Sequence, residues 1–131
     1  MSPAIDRLER LGYQRLTAET ILSFLAEGAR LVLLTGDPQR VRESNDAAVI
    51  FPDLVRTVSE ATGIDLVAGF LTPNHETDAV RAELGVLSYP SVVAYRDGCF
   101  AGVVPGMKAW TDFVSQVSGF FASSDAQAQT L

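Results

Sequence analysis

The stretch that most constrains this chain is Gly85 to Gly106, GVLSYPSVVAYRDGCFAGVVPG. A loop runs into Pro90, and an apolar strand is expected over Ser91 to Tyr95. Arg96-Asp97-Gly98 makes a tight turn, and Cys99 to Val104 returns as a second strand. Valine, tyrosine and phenylalanine suit a pleated, half-buried surface, and Asp-Gly supplies the positive φ that a short hairpin needs. Pro90 stands just before the first strand, where its missing N–H interrupts no ladder. The Tyr89–Pro90 bond is a candidate for the cis form.

The rest of the chain supplies elements for this hairpin to join. Ile5, Leu8 and Leu11 mark a short amphipathic helix that Gly12 ends. Tyr13 to Leu16 reads as an edge strand. Thr17 is placed to cap a helix over Ala18 to Glu27, with Ile21, Leu22, Phe24 and Leu25 facing inward and Gly28 ending it. Arg30 to Thr35 is a short apolar run bounded by turn residues, the signature of a strand buried on both faces and central in its sheet. A polar segment, Gly36 to Asp46, separates it from a helix over Ala47 to Ala61. In that helix Ile50, Leu54, Val55 and Val58 share a face, while Asp53, Arg56 and Glu60 lie off it. Pro52 lies inside and is expected to kink it. Gly63 stops the helix, Ile64 to Leu71 reads as another buried strand, and Asn74 caps a helix to about Leu84. After the hairpin, Trp110, Phe113, Val114, Val117, Phe120 and Phe121 fall at helical spacing within Lys108 to Phe121. Ser123 to Leu131 reads as a polar, flexible tail, leaving one domain over residues 1–122. The pattern is a parallel βαβ half, an antiparallel hairpin and a closing helix, hence an α/β fold with a mixed sheet and helices on both faces.

Charge and cysteine content narrow the function. With 16 acidic against 10 basic residues and a net charge of −6, the chain repels a nucleic-acid backbone and favours basic or amphipathic partners. No apolar run is long enough to cross a bilayer, and the first residues lack the basic-then-apolar layout of a signal peptide, so a cytoplasmic location without membrane insertion is expected. Cys99 is the sole cysteine, which excludes an internal disulfide and a thiol-rich metal site. It reads as a packed or edge residue, and His75, beside the Asn74 cap, as a surface residue. Trp110 is expected in the core. Arg40 and Arg42 follow Gly36 without a phosphate-loop or dinucleotide pattern. No metal or other cofactor is expected.

Taken together, the element order, Pro52 in the helix after the central strand, LGVLSYPSVVAYRDG and Gly106 before the last helix resemble a thioredoxin over roughly Leu16 to Phe121. The resemblance implies that Pro90 is cis and faces the site, and that Ser88 to Ser91 touch bound peptide. The departure is chemical. Thioredoxins begin the kinked helix with C-x-x-C, and counting back from Pro52 puts those positions at Ser44 and Ala47, in SNDA. Dithiol exchange needs a thiolate at a helix start and a second, resolving thiol, and both are missing. A serine has no redox chemistry, and no histidine is placed beside it to activate it.

Among thioredoxin-like chains without the cysteine pair, GDP after the central strand, the polar run R-x-R-E-S-N-D and AVIFPDL in place of the redox helix are similar to the hydrogenase expression/formation family of HyaE/HupG type. That resemblance implies a non-catalytic maturation chaperone for an uptake nickel-iron hydrogenase, whose partner is the small-subunit precursor with its twin-arginine signal peptide. Such a signal joins a basic head to an apolar stretch, so its receiver should combine carboxylates with apolar surface. From Asp53 to Glu83 six acids (Asp53, Glu60, Asp65, Glu76, Asp78, Glu83) stand against Arg56 and Arg81, a local balance of −4. Each reads plainly as a solvated helix-face acid or first-turn residue. The sharper reading joins Glu43, Asp46 and Asp53 with Tyr89 and Pro90 as a peptide-docking surface. A thioredoxin-like binding module with an unrelated partner and an enzyme using Cys99 as a lone thiol are the competing functions.

Overall fold

The computed structural model describes residues 3–36, 42–72, 80–84, 86 and 88–130, with 122–130 described as backbone only. The helices are α1 (Pro3–Arg10), α2 (Ile21–Leu25), α3 (Arg42–Thr62) and α4 (Trp110–Thr130), with a further helical turn at 80–83. The strands are β1 (Gln14–Arg15), β2 (Ala29–Leu34), β3 (Val67–Leu71), β4 (Ser91–Arg96) and β5 (Cys99–Pro105). They form one five-stranded sheet in the order β1-β3-β2-β4-β5. β3 runs parallel to β1 and β2, whereas β4 pairs antiparallel with β2 and with β5. β2 is central, as its uninterrupted apolar run predicts.

Alternate residues of β2 supply two cores. Leu31 and Leu33 join Phe70, Val92 and Ala94 on one face, while Val32 and Leu34 join Leu71 and Val93 on the other. The first face is covered by Ile5 and Leu8 of α1, Phe51, Leu54 and Val58 of α3, and Phe113, Val117 and Phe121 of α4. The second is covered by Ile21 and Leu25 of α2 with Val80, Leu84 and Val86. Pro52 stands inside α3. A mid-helix proline costs ~3 kcal/mol or more, but buried neighbours such as Phe51, Leu54 and Val58 each contribute ~1.5–3 kcal/mol, so packing wins.

The hairpin turn does more than reverse the chain. Asp97 and Gly98 both have positive φ, 51° and 82°, the arrangement that matches a two-residue turn to strand twist. The turn also grips the end of α2. The Gly28 N–H donates to Asp97 Oδ1 at 2.8 Å, Asp97 N–H to the Gly28 carbonyl at 2.9 Å, and Gly98 N–H to the Leu25 carbonyl at 3.0 Å. On the outer strand, a Cβ at Gly102 would collide with the Phe120 ring, so α4 lies close because this residue is glycine. Arg96 Nη1 donates to the Phe121 carbonyl at 3.2 Å and ties the hairpin to α4.

Several boundaries differ from the sequence expectation. α3 begins at Arg42, one turn before Ala47, because a polar first turn exposed to solvent looks like loop. α2 spans Ile21–Leu25 alone, preceded by a turn in which Thr17 and Thr20 bond each other's backbone: Thr17 N–H to Thr20 Oγ1 at 2.9 Å and Thr20 N–H to Thr17 Oγ1 at 3.3 Å. Such side-chain bonds compete with helix. With so short a helix, Leu22 points outward at 65% exposure. β3 starts at Val67, not Ile64. Trp110, expected in the core, is the first residue of α4 and 42% exposed. Where a loose tail was expected, the α4 backbone continues to Thr130. Asn74 and His75 lie outside the described residues.

Candidate peptide-docking site

Leu34, the last residue of β2, pairs with Ser91, the first of β4, so the exit from β2 and the entry to β4 share one end of the sheet. The Tyr89–Pro90 bond in the entering loop is cis, and Pro90 is buried. Its carbonyl accepts from the Gly106 N–H at 2.7 Å, while Ser91 Oγ donates back to the Ser88 carbonyl at 2.8 Å. The loop is therefore braced on both sides. Leaving β2, Thr35 donates its N–H and its hydroxyl to the Leu71 carbonyl at 3.0 and 3.2 Å.

The next bond defines the site. The buried Gly36 N–H donates to Ser44 Oγ at 2.8 Å, and Ser44, in the first turn of α3, is fully buried. A thioredoxin's first cysteine is replaced here by a hydroxyl that accepts a backbone hydrogen bond. Ala47, at the second cysteine position, is buried as a packing residue. A single cysteine leaves no C-x-x-C pair, and that cysteine, Cys99, is exposed at the start of edge strand β5.

Glu43 and Asp46 are exposed on the first turns of α3, at the end that Ser44 ties to the strand exit. Asp53 shares Asp46's face but lies seven residues further on, roughly 10 Å along the axis. It pairs with Arg56 at 3.2 Å, both side chains being about two-thirds exposed, so the pair adds little stability. Asp53 also acts on Tyr13, whose hydroxyl pKa is raised first by burial and then by this carboxylate, with Arg7 opposing. The fold thus brings Glu43 and Asp46 to the same end as the Pro90 loop and sets Asp53 toward Tyr13. Tyr89 is half-buried against the second core, with the Arg81 guanidinium 5.2 Å from its ring centroid. Neither the Arg81 stack nor the Ser44–Gly36 bond was predicted. Each joins residues eight apart that no helical or strand spacing places together. Among the described residues no group of three or more histidine, cysteine, aspartate or glutamate side chains could hold a metal, and no helix is long and apolar enough to cross a membrane.

These features define a thioredoxin-fold protein without the redox pair. The structure superposes on Chlamydomonas reinhardtii thioredoxin f2 with a TM-score of 0.61 and 18% identity, covering 82% of this chain and 94% of that one. Spinach chloroplast thioredoxin f gives 0.63 and 16%, covering 82% and 92%. At such identity the likeness is one of fold. Sequence relationships go further: residues 5–113 match the family model described as hydrogenase-1 expression protein HyaE, and the chain belongs to that family. It is 33% identical to the hydrogenase expression/formation protein HoxO of Cupriavidus necator over 117 residues, 88% of this chain and 71% of that protein. It is 31% identical to HupG of Rhodobacter capsulatus over 124 residues, covering 92% and 86%.

Proposed function

We propose that this chain serves hydrogenase maturation as a non-catalytic chaperone, binding the small-subunit precursor of an uptake nickel-iron hydrogenase through its twin-arginine signal peptide. Family membership supports the maturation role. The observation that carries the binding role is the buried Ser44–Gly36 bond beside the Pro90 loop. The end of the sheet keeps a loop suited to meeting an extended chain, while the position of the reacting sulfur is occupied by a structural hydroxyl. Recognition of an extended segment relies on backbone contacts and pockets for alternate side chains, neither of which needs a thiol.

In this reading Tyr89 and Pro90 meet the segment, Glu43 and Asp46 receive its basic head, and Asp53 is an outlying member of the surface. The protein acts on the cytoplasmic side, before export. Co-purification with the precursor, with and without the signal peptide, tests the proposal. Retention only when the signal is present supports it, and equal retention of both forms, or of neither, rejects it. Reversing Glu43, Asp46 and Asp53 to lysine together should weaken signal-peptide binding at least about tenfold at low salt, with most of the loss from Glu43 and Asp46. Unchanged affinity would remove the carboxylates from the site.

A further inference from the structure

Among the described residues the sheet end at Pro90 is electrostatically lopsided, and Arg81 is the cause. The α3 side carries Glu43 and Asp46 against Arg42, one net negative charge among the described residues there. On the other face of the sheet, with the core of Ile21, Val80 and Leu84, Arg81 lies 5.2 Å from the Tyr89 ring centroid. Its Nε is buried with no hydrogen-bond acceptor, and no ion pair is formed with it among the described residues. The guanidinium is held by stacking. Its planar cation suits an aromatic face, and no carboxylate among the described residues lies within ion-pair distance of it. Glu83, two positions on, faces a different side of the helical turn.

Resting on the docking reading above, we infer that Arg81 is a positioning residue that sets the direction in which a client segment crosses the Pro90 loop. The segment's cationic end lies on the α3 side, against Glu43 and Asp46. Its uncharged apolar part lies over Tyr89, where Arg81 donates to main-chain carbonyls. The Tyr89 face that would attract a client arginine already carries a cation, and a second one nearby is repelled. A carbonyl-rich apolar stretch meets no such penalty. A like-charge clash at this spacing, partly screened by solvent, biases the two orientations about fivefold or more.

The test uses the full chain, isotopically labelled, and a synthetic peptide with two adjacent arginines followed by an apolar run, carrying a nitroxide at either end. With the label at the arginine end, amide signals of Glu43 and Asp46 should broaden at least about fivefold more than that of Arg81; with the label at the apolar end, Arg81, Ala82 and Tyr89 should broaden more. Arg81→Gln should bring the ratio toward one, and Arg81→Lys, which keeps the charge, should restore the bias. Circular dichroism of both variants verifies folding. Peptide binding with equal or reversed broadening, or a bias indifferent to Arg81→Gln, overturns the inference and leaves the docking reading standing. Absence of binding overturns both.

Discussion

Replacing Ser44 with alanine probes the device that separates this site from a redox centre. The substitution leaves the α3 backbone intact and favours helix intrinsically, so propensity alone predicts a small stabilisation. The hydrogen bond predicts the opposite. Gly36 N–H is buried, and Ser44 Oγ accepts it at 2.8 Å from a side chain with no exposure to solvent. Alanine strands that donor, which costs about 1–3 kcal/mol. Spread over 131 residues, an unfolding entropy of roughly 275 cal/mol/K turns this into a fall in Tm of about 4–11 °C.

Urea and thermal denaturation followed by circular dichroism measure the change, with the exposed Ser115→Ala as a control expected within about 0.5 kcal/mol of the parent. A second readout is local. The Gly36 amide should be protected from hydrogen exchange in the parent and lose that protection in Ser44→Ala. Ser44→Cys keeps the shape with a somewhat larger atom that is a poor acceptor, so it should lose at least most of the same stability. A Ser44→Ala variant as stable as the parent, with Gly36 exchange unchanged, would refute the reasoning.

Three further outcomes follow from the geometry. Asp97→Ala removes the acceptor for Gly28 N–H and puts alanine at φ 51°, and should cost about 1–2 kcal/mol in urea titration, whereas Asp97→Asn, which accepts and tolerates that conformation, should cost little. Gly102→Ala drives a Cβ into the Phe120 ring and should destabilise by about 1–3 kcal/mol. Combined with Phe120→Ala it should cost less than the sum of the two, and strict additivity in a double-mutant cycle would exclude the clash. Tyr13 and Tyr95 both have hydroxyl pKa values raised above 10 by burial, so the unfolded chain releases those protons first. Their contribution to stability is complete below about pH 10 and is lost as pH rises through the folded values. Because the Asp53 carboxylate adds to the Tyr13 shift, Asp53→Asn should bring one phenolate transition to lower pH in ultraviolet titration, and an unmoved transition would place Asp53 away from Tyr13.

What could be read in advance, and what could not, divides by the range of the interaction. The hairpin, β2 and the α4 stripe are written in neighbouring residues: alternation with Asp-Gly, an apolar run, and aromatics at helical spacing. Helix starts were less legible, because Glu43 and Asp46 look the same in a loop as in a solvated first turn. Trp110 shows where periodicity overreaches: it keeps the stripe's spacing, yet at the first position of α4 it is partly exposed. The site separates along the same line. Counting from Pro52 identifies Ser44 and Ala47 as the positions without sulfur, because helical spacing is local. That Ser44 turns inward to hold Gly36, and that Arg81 stacks on Tyr89, depends on where the sheet end brings separate segments. These two contacts change what the Pro90 loop is. Thioredoxin-like spacing alone describes a redox cradle emptied of its cysteines. With a buried serine tying the strand exit to α3, and on Tyr89 a guanidinium that forms no ion pair among the described residues, the loop is, on the reading proposed above, a surface whose two sides differ in charge and could read the direction of a chain.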